Sequence, residues 1–310
     1  MKIRSRKFPA LVLCLLTGAL AMASDTLGTS APGTDDAAYR ASIEKWRAEY
    51  EADLKSDHGW LTVTGLFWLH EGENKFGSDP ANDIVLPEGA APAEAGSFEF
   101  HSGKTIAHLK PGVAATMNGK PVETAELPAD SRTERLHMGR LTLWVHRSGD
   151  RYAIRMRDPQ SALRRDFRGL TWFPIDESYR VVAKWVAYDK PKAVPIQNLA
   201  GDSLDLPTVG YAAFAFHGQD FRLEGYYDDP TNPTGVTFVI RDLTSGKETY
   251  AASRFVDADM PKDGSIVLDF NEAYNPPCAY NPYTTCPLPP PANRMRVRIE
   301  AGEKAYRHAN

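Results

Sequence analysis

Apolar residues recur at helical spacing in one segment near the start of the chain, residues 35–57. The intervals between them are four, three, four and four residues, and the positions are Tyr39, Ile43, Trp46, Tyr50 and Leu54. This spacing predicts an amphipathic helix with a single apolar stripe. Its polar face mixes acids and bases, so we expect it to cover a sheet edge or a barrel mouth rather than lie on a membrane surface.

Short apolar runs alternate with turn signals along the rest of the chain. Asn118-Gly119 and Gly149-Asp150 suit two-residue hairpin turns, and no βαβ unit of about 30 residues occurs. The predicted strands are Asp83–Leu86, Ser97–Phe100, Thr105–Leu109, Leu141–His146, Tyr152–Met156, Thr171–Pro174, Tyr179–Ala187, Ala212–Phe216, Gly235–Arg241, Glu248–Phe255, Ser265–Asp269 and Met295–Glu300. Many short strands with regular turns are typical of a sandwich or a barrel.

We therefore predict a mainly β protein, in which two antiparallel sandwich- or barrel-like units follow one amphipathic helix. The first unit spans residues 59–158 and the second spans residues 159–310, with the boundary at Asp158-Pro159. The interface between two such units is the default place for a ligand.

A proline-rich segment, residues 269–293, interrupts the second unit. Seven of the 23 residues from Asp269 to Pro291 are proline, which excludes a helix or a central strand there. The segment also contains several aromatic residues, which disordered linkers tend to lack. We expect an ordered loop that lines a site.

The first 23 residues have the pattern of a secretory signal peptide. Four cations precede an apolar stretch, and Ala21-Met22-Ala23 suits signal peptidase. We expect cleavage near Ala23, a flexible leader over residues 24–34, and a periplasmic or secreted protein. The alternative is a lipoprotein anchor on Cys14, but the residues just before it lack the small side chain expected there. No later segment reaches the ~20 apolar residues that a transmembrane helix needs.

Cleavage would change the net charge from −4 to −8, because the removed segment carries four cations and no acid. An acidic protein is unsuited to nucleic acid, so we expect no such partner. Two cysteines would remain, Cys278 and Cys286, and in an oxidising compartment they most simply form a disulfide. Two free thiols and a metal pair are the alternatives, although no histidine lies near them, and we expect no metal.

Two segments of the first unit carry a familiar pattern, Phe76-Gly-Ser-Asp-Pro-Ala-Asn-Asp-Ile-Val-Leu-Pro87 and Met117-Asn-Gly-Lys-Pro-Val122. Together they make residues 70–146 resemble a forkhead-associated domain. The resemblance implies a β-sandwich in the first unit. Ser78 stands where that family has an arginine, so no phosphopeptide-binding residue is carried over.

A second set of motifs extends over roughly residues 45–304. The motifs are Gly59–Leu61, Gly65–Leu69, Gly72–Gly77, Arg155–Asp158, Phe167–Leu170, Trp172–Pro174, Asp242–Tyr250 and the proline-rich loop with Asn293-Arg294. This set resembles DUF1684, a bacterial family without an assigned activity. Cys278 and Cys286 both fall on its motif. The resemblance therefore implies a family but no reaction.

Strong catalytic and cofactor motifs are absent from the sequence: there is no G-x-S-x-G, no H-E-x-x-H, no phosphate loop and no EF-hand loop. We expect no cofactor. Arg155 and Arg157 are two residues apart on a predicted strand, so they share one face and could clamp a carboxylate or a phosphate. The alternative is a solvated face that is partly paired with Asp158.

Two further clusters are polar. Asp242 and Arg254 lie at the ends of neighbouring predicted strands, where an ion pair between strands is the alternative to a binding role. Asp269, Asn271 and the nearby Tyr274 and Asn275 lead into the proline-rich loop, where such side chains also commonly hold turns.

The sequence favours an exported protein that binds a small anionic or polar ligand without catalysis. The ligand-binding candidates are Arg155, Arg157, Asp242, Arg254, Asp269, Asn271, Tyr274 and Asn275. One alternative is a hydrolase that uses Asp269 or Cys278. Another is a protein-interaction module that works through the first unit, with a partner that the sequence does not identify.

Overall fold

The computed structural model describes residues 36–229 and 231–307. The predicted signal peptide and leader, residues 1–34, lie outside the described residues. Within them the chain forms one long helix, α1 (Asp36–Lys55), one short helix, α2 (Ala162–Arg165), and three β-sheets. The prediction of a mainly β protein preceded by one amphipathic helix is confirmed.

Two sheets share a core in the first half of the chain. In spatial order the first sheet contains β1 (Val63–Trp68), β11 (Arg151–Arg157), β10 (Leu141–Ser148), β9 (Leu136–Met138), β6 (Thr116–Met117) and β7 (Lys120–Pro121). The second contains β3 (Ile84–Val85), β2 (Gly72–Gly77), β4 (Gly96–His101), β5 (Lys104–Leu109) and β8 (Thr124–Glu126). All neighbours are antiparallel except β2 and β3. Phe76, Phe98 and Leu143 are among the buried side chains between the sheets.

The third sheet forms a nearly closed barrel in the second half. Its order is β16 (Arg254–Asp259), β15 (Gly235–Ile240), β14 (Gln219–Tyr227), β13 (Ser203–Phe216), β12 (Arg180–Gln197) and β17 (Ser265–Asp269). The outer strands β16 and β17 also contact each other. Alternate apolar residues, including Phe214, Leu223 and Phe238, point into one core because successive side chains of a strand face opposite ways.

Both predicted hairpin turns are confirmed. Met117 pairs with Lys120 around Asn118-Gly119, whose φ angles of 52° and 73° suit the turn that the pair of residues favours. Ser148 pairs with Arg151 in the same way. Turn chemistry is local, so the sequence alone is enough to predict it.

Several strand predictions were wrong. The segment 248–253 is a turn, so the strand predicted at Glu248–Phe255 begins only at Arg254, and β14 was not predicted. Residues 171–174 form only an isolated bridge at Trp172. Residues 295–300 alternate between buried and exposed, yet they form no strand: within the described residues their backbone–backbone hydrogen bonds reach residues 241 and 243 only, and Ile299 N–H donates to the Asp242 carboxylate.

Helix α1 covers the junction between the two halves with its apolar stripe. Trp46 and Tyr50 pack with Tyr274, and Leu54 packs with Leu61 and with Tyr280. The stripe predicted from the spacing is the buried one. Among the described residues, no helix combines the length and apolar character that crossing a bilayer requires. The proposed division at residue 158 stays a prediction.

Candidate functional site

The face of the first sheet that points away from the sandwich core carries an unusual set of cations; we call it the outer face. In the antiparallel register, Trp144 lies opposite Arg155, which lies opposite Leu66 on the next strand. Directly opposed residues share a face. Leu141, Leu143 and Val145 alternate with Thr142, Trp144 and His146 on β10, and only the first three belong to the sandwich core. The core thus forces the second set outward.

Two guanidinium groups on this face lie over one indole, and a third arginine is the strand partner of that tryptophan; we call Arg135, Arg155 and Arg157 the arginine cluster. The guanidinium carbon of Arg135 lies 4.8 Å from the centre of the Trp144 ring, and that of Arg157 lies 5.4 Å from it. Arg155 is the strand partner of Trp144. Cations over an indole are attracted by its negative face, which partly offsets their mutual repulsion.

The arginine cluster has few partners of its own. Arg155 is only 6% exposed, and neither its Nε nor one of its terminal nitrogens has a hydrogen-bond partner among the described residues. The same holds for the Nε atoms of Arg157 and Arg135. Asp53, at the end of α1, is close enough to influence Arg157 electrostatically, but its Oδ2 also has no hydrogen-bond partner there. A buried cation without a bonded anion is costly, so the cluster is incomplete.

Burial lowers the pKa of both central arginines. For Arg155 the pKa falls to about 10 because of burial; Asp130 opposes this shift, and the charge of Arg157 adds to it. For Arg157 the pKa also falls to about 10, through burial and the charge of Arg135, against the influence of Asp53. Both groups are still cationic near neutral pH. The cluster therefore presents positive charge in surroundings of low polarity.

The proline-rich loop lies against the same outer face. His146 Nε2 and Thr285 Oγ1 are 2.7 Å apart, and Asn281 Nδ2 donates to the carbonyl of Trp60 at 2.9 Å. Cys278 and Cys286 form a disulfide inside the loop, so the predicted pairing is confirmed. Because Cys278 is bonded to sulfur, it has no thiolate for nucleophilic attack.

A cleft of about 390 Å3 opens between the loop and the sheet. Its walls include Trp68 and Arg151 from the sheet, Tyr250 from the second half, and Cys278 and Thr284 from the loop. Leu66, the strand partner of Arg155, also lines it. The cleft thus runs beside the row of side chains that contains the arginine cluster.

Other predicted binding residues belong to different networks. Asp269 accepts the Tyr39 hydroxyl at 2.9 Å, and Asn271 Nδ2 donates to the same Tyr39 oxygen, also at 2.9 Å. Burial raises the pKa of Asp269, while its bonds to Asn271 and Tyr39 act in the opposite direction. These contacts fasten the start of α1 to the barrel. The structure does not bring Asp269 or Asn271 into contact with the arginine cluster.

Asp242 and Arg254 form a fully buried ion pair at 3.2 Å. Arg254 also donates to backbone carbonyls of the final segment, including that of Ile299 at 2.9 Å, and Asp242 Oδ2 accepts the Ile299 N–H. Asp242 and Arg254 therefore hold the last described segment of the chain inside the barrel. Tyr274 belongs to a separate contact, in which its hydroxyl donates to Asp257 at 2.8 Å.

Asn275 joins a second buried network, centred on Glu303. The Glu303 carboxylate is 0% exposed and accepts the N–H of Asn275 at 2.8 Å, its side-chain amide at 2.7 Å and the Tyr280 hydroxyl at 2.7 Å. Tyr50 lies 3.1 Å from the Tyr280 hydroxyl. Burial raises the pKa of Glu303 to about 7 against these stabilising bonds. This network ties α1, the loop and the last segment together.

Of the eight predicted binding residues, the structure thus places Arg155 and Arg157 side by side and holds the other six in these separate networks. Sequence reasoning missed Arg135 and Trp144. The alternation along β10 does not say which of its two faces is the core, so it could not show that Trp144 points outward. No local pattern in the sequence connects Arg135 to Trp144. No cluster of three or more metal-binding side chains occurs in residues 36–229 and 231–307.

Fold and site together define a mainly β protein with a covering helix and a cationic, loop-covered sheet face. Residues 165–304 match the family described as "Protein of unknown function (DUF1684)". The chain belongs to this family. The matched residues form the C-terminal part of residues 45–304, the region whose sequence motifs resemble this family.

Solved structures with some similarity are also known. An uncharacterized protein of Haloarcula marismortui, solved by solution NMR, is 31% identical; the match covers 46% of this chain and 78% of that one, with a TM-score of 0.39. An FHA domain of FhaA, solved in a complex, is 17% identical over 29% of this chain and 84% of its own, with a TM-score of 0.22. No curated protein matches the sequence.

Proposed function

We propose that this protein binds a small anionic ligand, a carboxylate or a phosphate, at the arginine cluster. The observation that carries the proposal is Arg155, which is buried and has two guanidinium nitrogens without a hydrogen-bond partner among the described residues. Guanidinium groups bind carboxylates and phosphates through two parallel hydrogen bonds, and Arg157 and Arg135 lie over the Trp144 indole. An anion would provide the acceptor that the cluster lacks.

The surroundings of the cluster support a ligand rather than a second protein. The disulfide-closed loop leaves a cleft of about 390 Å3, within the range of small-molecule sites; its wall includes Leu66, the strand partner of Arg155, and Arg151, but not the three arginines of the cluster. Burial strengthens each charge–charge contact with a ligand, because the local dielectric is low. The indole of Trp144 would suit a ligand with a flat or apolar part beside its anionic group.

Thermal unfolding at constant ionic strength tests the proposal. Wild type is mixed with inorganic phosphate, with citrate, and with glucose as a neutral probe. Saturation at 100 times the dissociation constant stabilises the folded protein by about 2.7 kcal/mol, a clear rise in Tm. Arg155→Met is expected to abolish that rise. Arg298→Met is the matched control, because Arg298 is exposed and paired with Glu248.

Two results would refute the proposal. One is that neither anion raises the Tm of wild type more than glucose does. The other is that Arg155→Met responds to anions as strongly as Arg298→Met. The Arg155→Met protein itself should unfold at the same or a higher temperature without ligand, because the substitution removes an unpaired buried charge.

We also propose that the protein is exported to an oxidising compartment. The support is the signal-like sequence of residues 1–23 and the Cys278–Cys286 disulfide, since disulfides persist outside the reducing cytosol. Fractionation of cells that express the full chain should recover it outside the cytoplasm, shortened by cleavage near Ala23. A full-length cytoplasmic product would contradict this.

A further inference from the structure

One histidine on the outer face links a carboxylate and a hydroxyl in series. Its Nδ1 lies 2.9 Å from Oδ1 of Asp130, and its Nε2 lies 2.7 Å from Oγ1 of Thr285. We call Asp130, His146 and Thr285 the relay. Both distances are those of good hydrogen bonds. Their order, acid to Nδ1 and hydroxyl to Nε2, is the order in which a nucleophile, its base and an orienting acid work in hydrolases.

The proton positions follow from this arrangement. A carboxylate only accepts, so the ring proton sits on Nδ1 and is donated to Asp130. Nε2 is then an acceptor, and the Thr285 hydroxyl donates to it. The hydroxyl oxygen keeps its lone pairs free for attack. His146 is thereby set up as a base toward Thr285.

Three different parts of the fold position the relay. His146 faces outward on β10, two residues after Trp144. Thr285 immediately precedes Cys286 in the disulfide-closed loop. Asp130 has a φ angle of 54°, which is uncommon for a residue with a side chain, and its carboxylate also accepts the N–H of Arg147 at 3.3 Å. Backbone held in a sparsely populated conformation occurs often at functional sites.

The relay lies next to a cleft and to positive charge. Thr285 and His146 are half-buried, and Thr284, the residue before Thr285, lines the cleft of about 390 Å3. Arg155 lies one strand away, diagonal to His146, and it influences Asp130 electrostatically. A purely structural tie between loop and sheet would need neither the cleft nor a buried arginine with two nitrogens that lack partners among the described residues.

We propose that the relay hydrolyses esters, with Thr285 as the nucleophile and His146 as the general base. The preferred substrate class is an ester whose acyl part carries a carboxylate or a phosphate. The arginine cluster would hold that anionic group, and its positive charge would favour the negative charge that develops on the attacked carbonyl oxygen. Only this substrate preference rests on the anion site proposed above.

The reaction balances with water as the second substrate. Thr285 Oγ bonds to the carbonyl carbon while its proton passes to His146 Nε2. The carbon–oxygen bond to the alcohol breaks, and the alcohol leaves with that proton. Water then gives a proton to His146 and its oxygen to the acyl carbon. The bond between Thr285 Oγ and the acyl carbon then breaks, the acid is released, and His146 returns the proton to Thr285 Oγ.

The test compares two esters, neutral 4-nitrophenyl acetate and the anionic 4-nitrophenyl hemiester of succinic acid. Wild type is expected to release nitrophenol from both, with the higher kcat/KM for the anionic ester. Thr285→Val, close in shape to threonine, is expected to lose about 100-fold or more. Thr285→Ser should keep activity, and Thr124→Val, at an exposed position on β8, should match wild type.

Two further measurements separate catalysis from a structural role. Brief mixing with the acetate ester, acid quenching and peptide mass analysis should find acetyl on Thr285. Asp130→Asn is expected to lower kcat by on the order of 100-fold and leave KM nearly unchanged, because the ring loses its orientation. A displaced loop would mainly raise KM.

The proposal is overturned if wild type and Thr285→Val hydrolyse both esters equally, or if no acetyl is found on Thr285. Failure of the anion site looks different: the acetate ester would still be hydrolysed through Thr285, without a preference for the succinate hemiester. Circular dichroism of each variant establishes that it is folded, and Thr285→Ser keeps the test decisive if Thr285→Val does not fold.

Discussion

Glu303 should make the stability of this protein fall as the pH rises through the neutral range. The carboxylate has no exposure to water, and burial raises its pKa from 4.5 to about 7. In the unfolded chain the same group would titrate near 4.5. Between these two values the folded protein holds a proton that the unfolded chain has released.

The sign and size follow from that difference. Where the folded state binds more protons, the free energy of unfolding decreases with pH. The stabilisation is fully present below pH 4.5, is lost progressively up to pH 7 and is absent above that. One pKa unit corresponds to 1.36 kcal/mol, so the loss from this residue alone is about 3 kcal/mol. Asp53, Asp257 and Asp269 also have raised pKa values and contribute in the same direction.

Urea unfolding at pH 5 and at pH 8 measures the effect. Wild type should be clearly more stable at pH 5, and Glu303→Gln should lose most of that difference because it cannot ionise. Glu300→Gln is the control, since Glu300 is exposed beside Arg298 and should keep the wild-type difference. Equal pH dependence in Glu303→Gln and wild type would refute the reasoning. If Glu303→Gln does not fold, carboxyl NMR titration of wild type gives the pKa directly.

Three further predictions concern a disulfide, a buried ion pair and a glycine that stabilise the fold. Replacing Cys278 and Cys286 together by serine should lower the free energy of unfolding by about 2–3 kcal/mol in urea titrations, and wild type in reductant should match the variant. Arg254→Met should cost about 3–5 kcal/mol in the same assay, because a buried carboxylate loses its partner; a change near zero would contradict this. Gly302→Ala should cost more than Gly112→Ala: both have φ near +80°, but only at Gly302 would the new Cβ lie 2.5 Å from a backbone oxygen.

Local patterns predicted the elements of the fold well and their assembly poorly. The four-three-four-four spacing gave the buried stripe of α1, and Asn118-Gly119 gave its hairpin, because each depends on neighbours in the sequence. Strand 219–227 was not predicted, although Phe221 and Leu223 alternate there with Arg222 and Glu224. The final segment alternates like a strand, but after two backbone hydrogen bonds to residues 241 and 243 the Asp242 carboxylate accepts the N–H of Ile299, and no periodicity reveals this.

In the candidate site, too, local features could be predicted from the sequence and long-range contacts could not. Period two placed Arg155 and Arg157 on one face, which is a property of a single strand. Their association with Trp144 depends on the register between two strands, and the contact of Arg135 depends on the segment just before β9. The relay joins residues 130, 146 and 285, which are brought together only by packing of the loop on the sheet. Contacts between residues so far apart in the chain cannot be predicted from a short stretch of sequence.

The position of helix α1 has a consequence for how the protein can be divided. The segment that matches the family begins at residue 165, yet Tyr274 and Tyr280 within it are covered by Tyr50 and Leu54 from the helix. A fragment trimmed to residues 165–304 would turn a patch of aromatic rings toward water and tend to aggregate. Recombinant versions of the protein should therefore begin no later than Asp36.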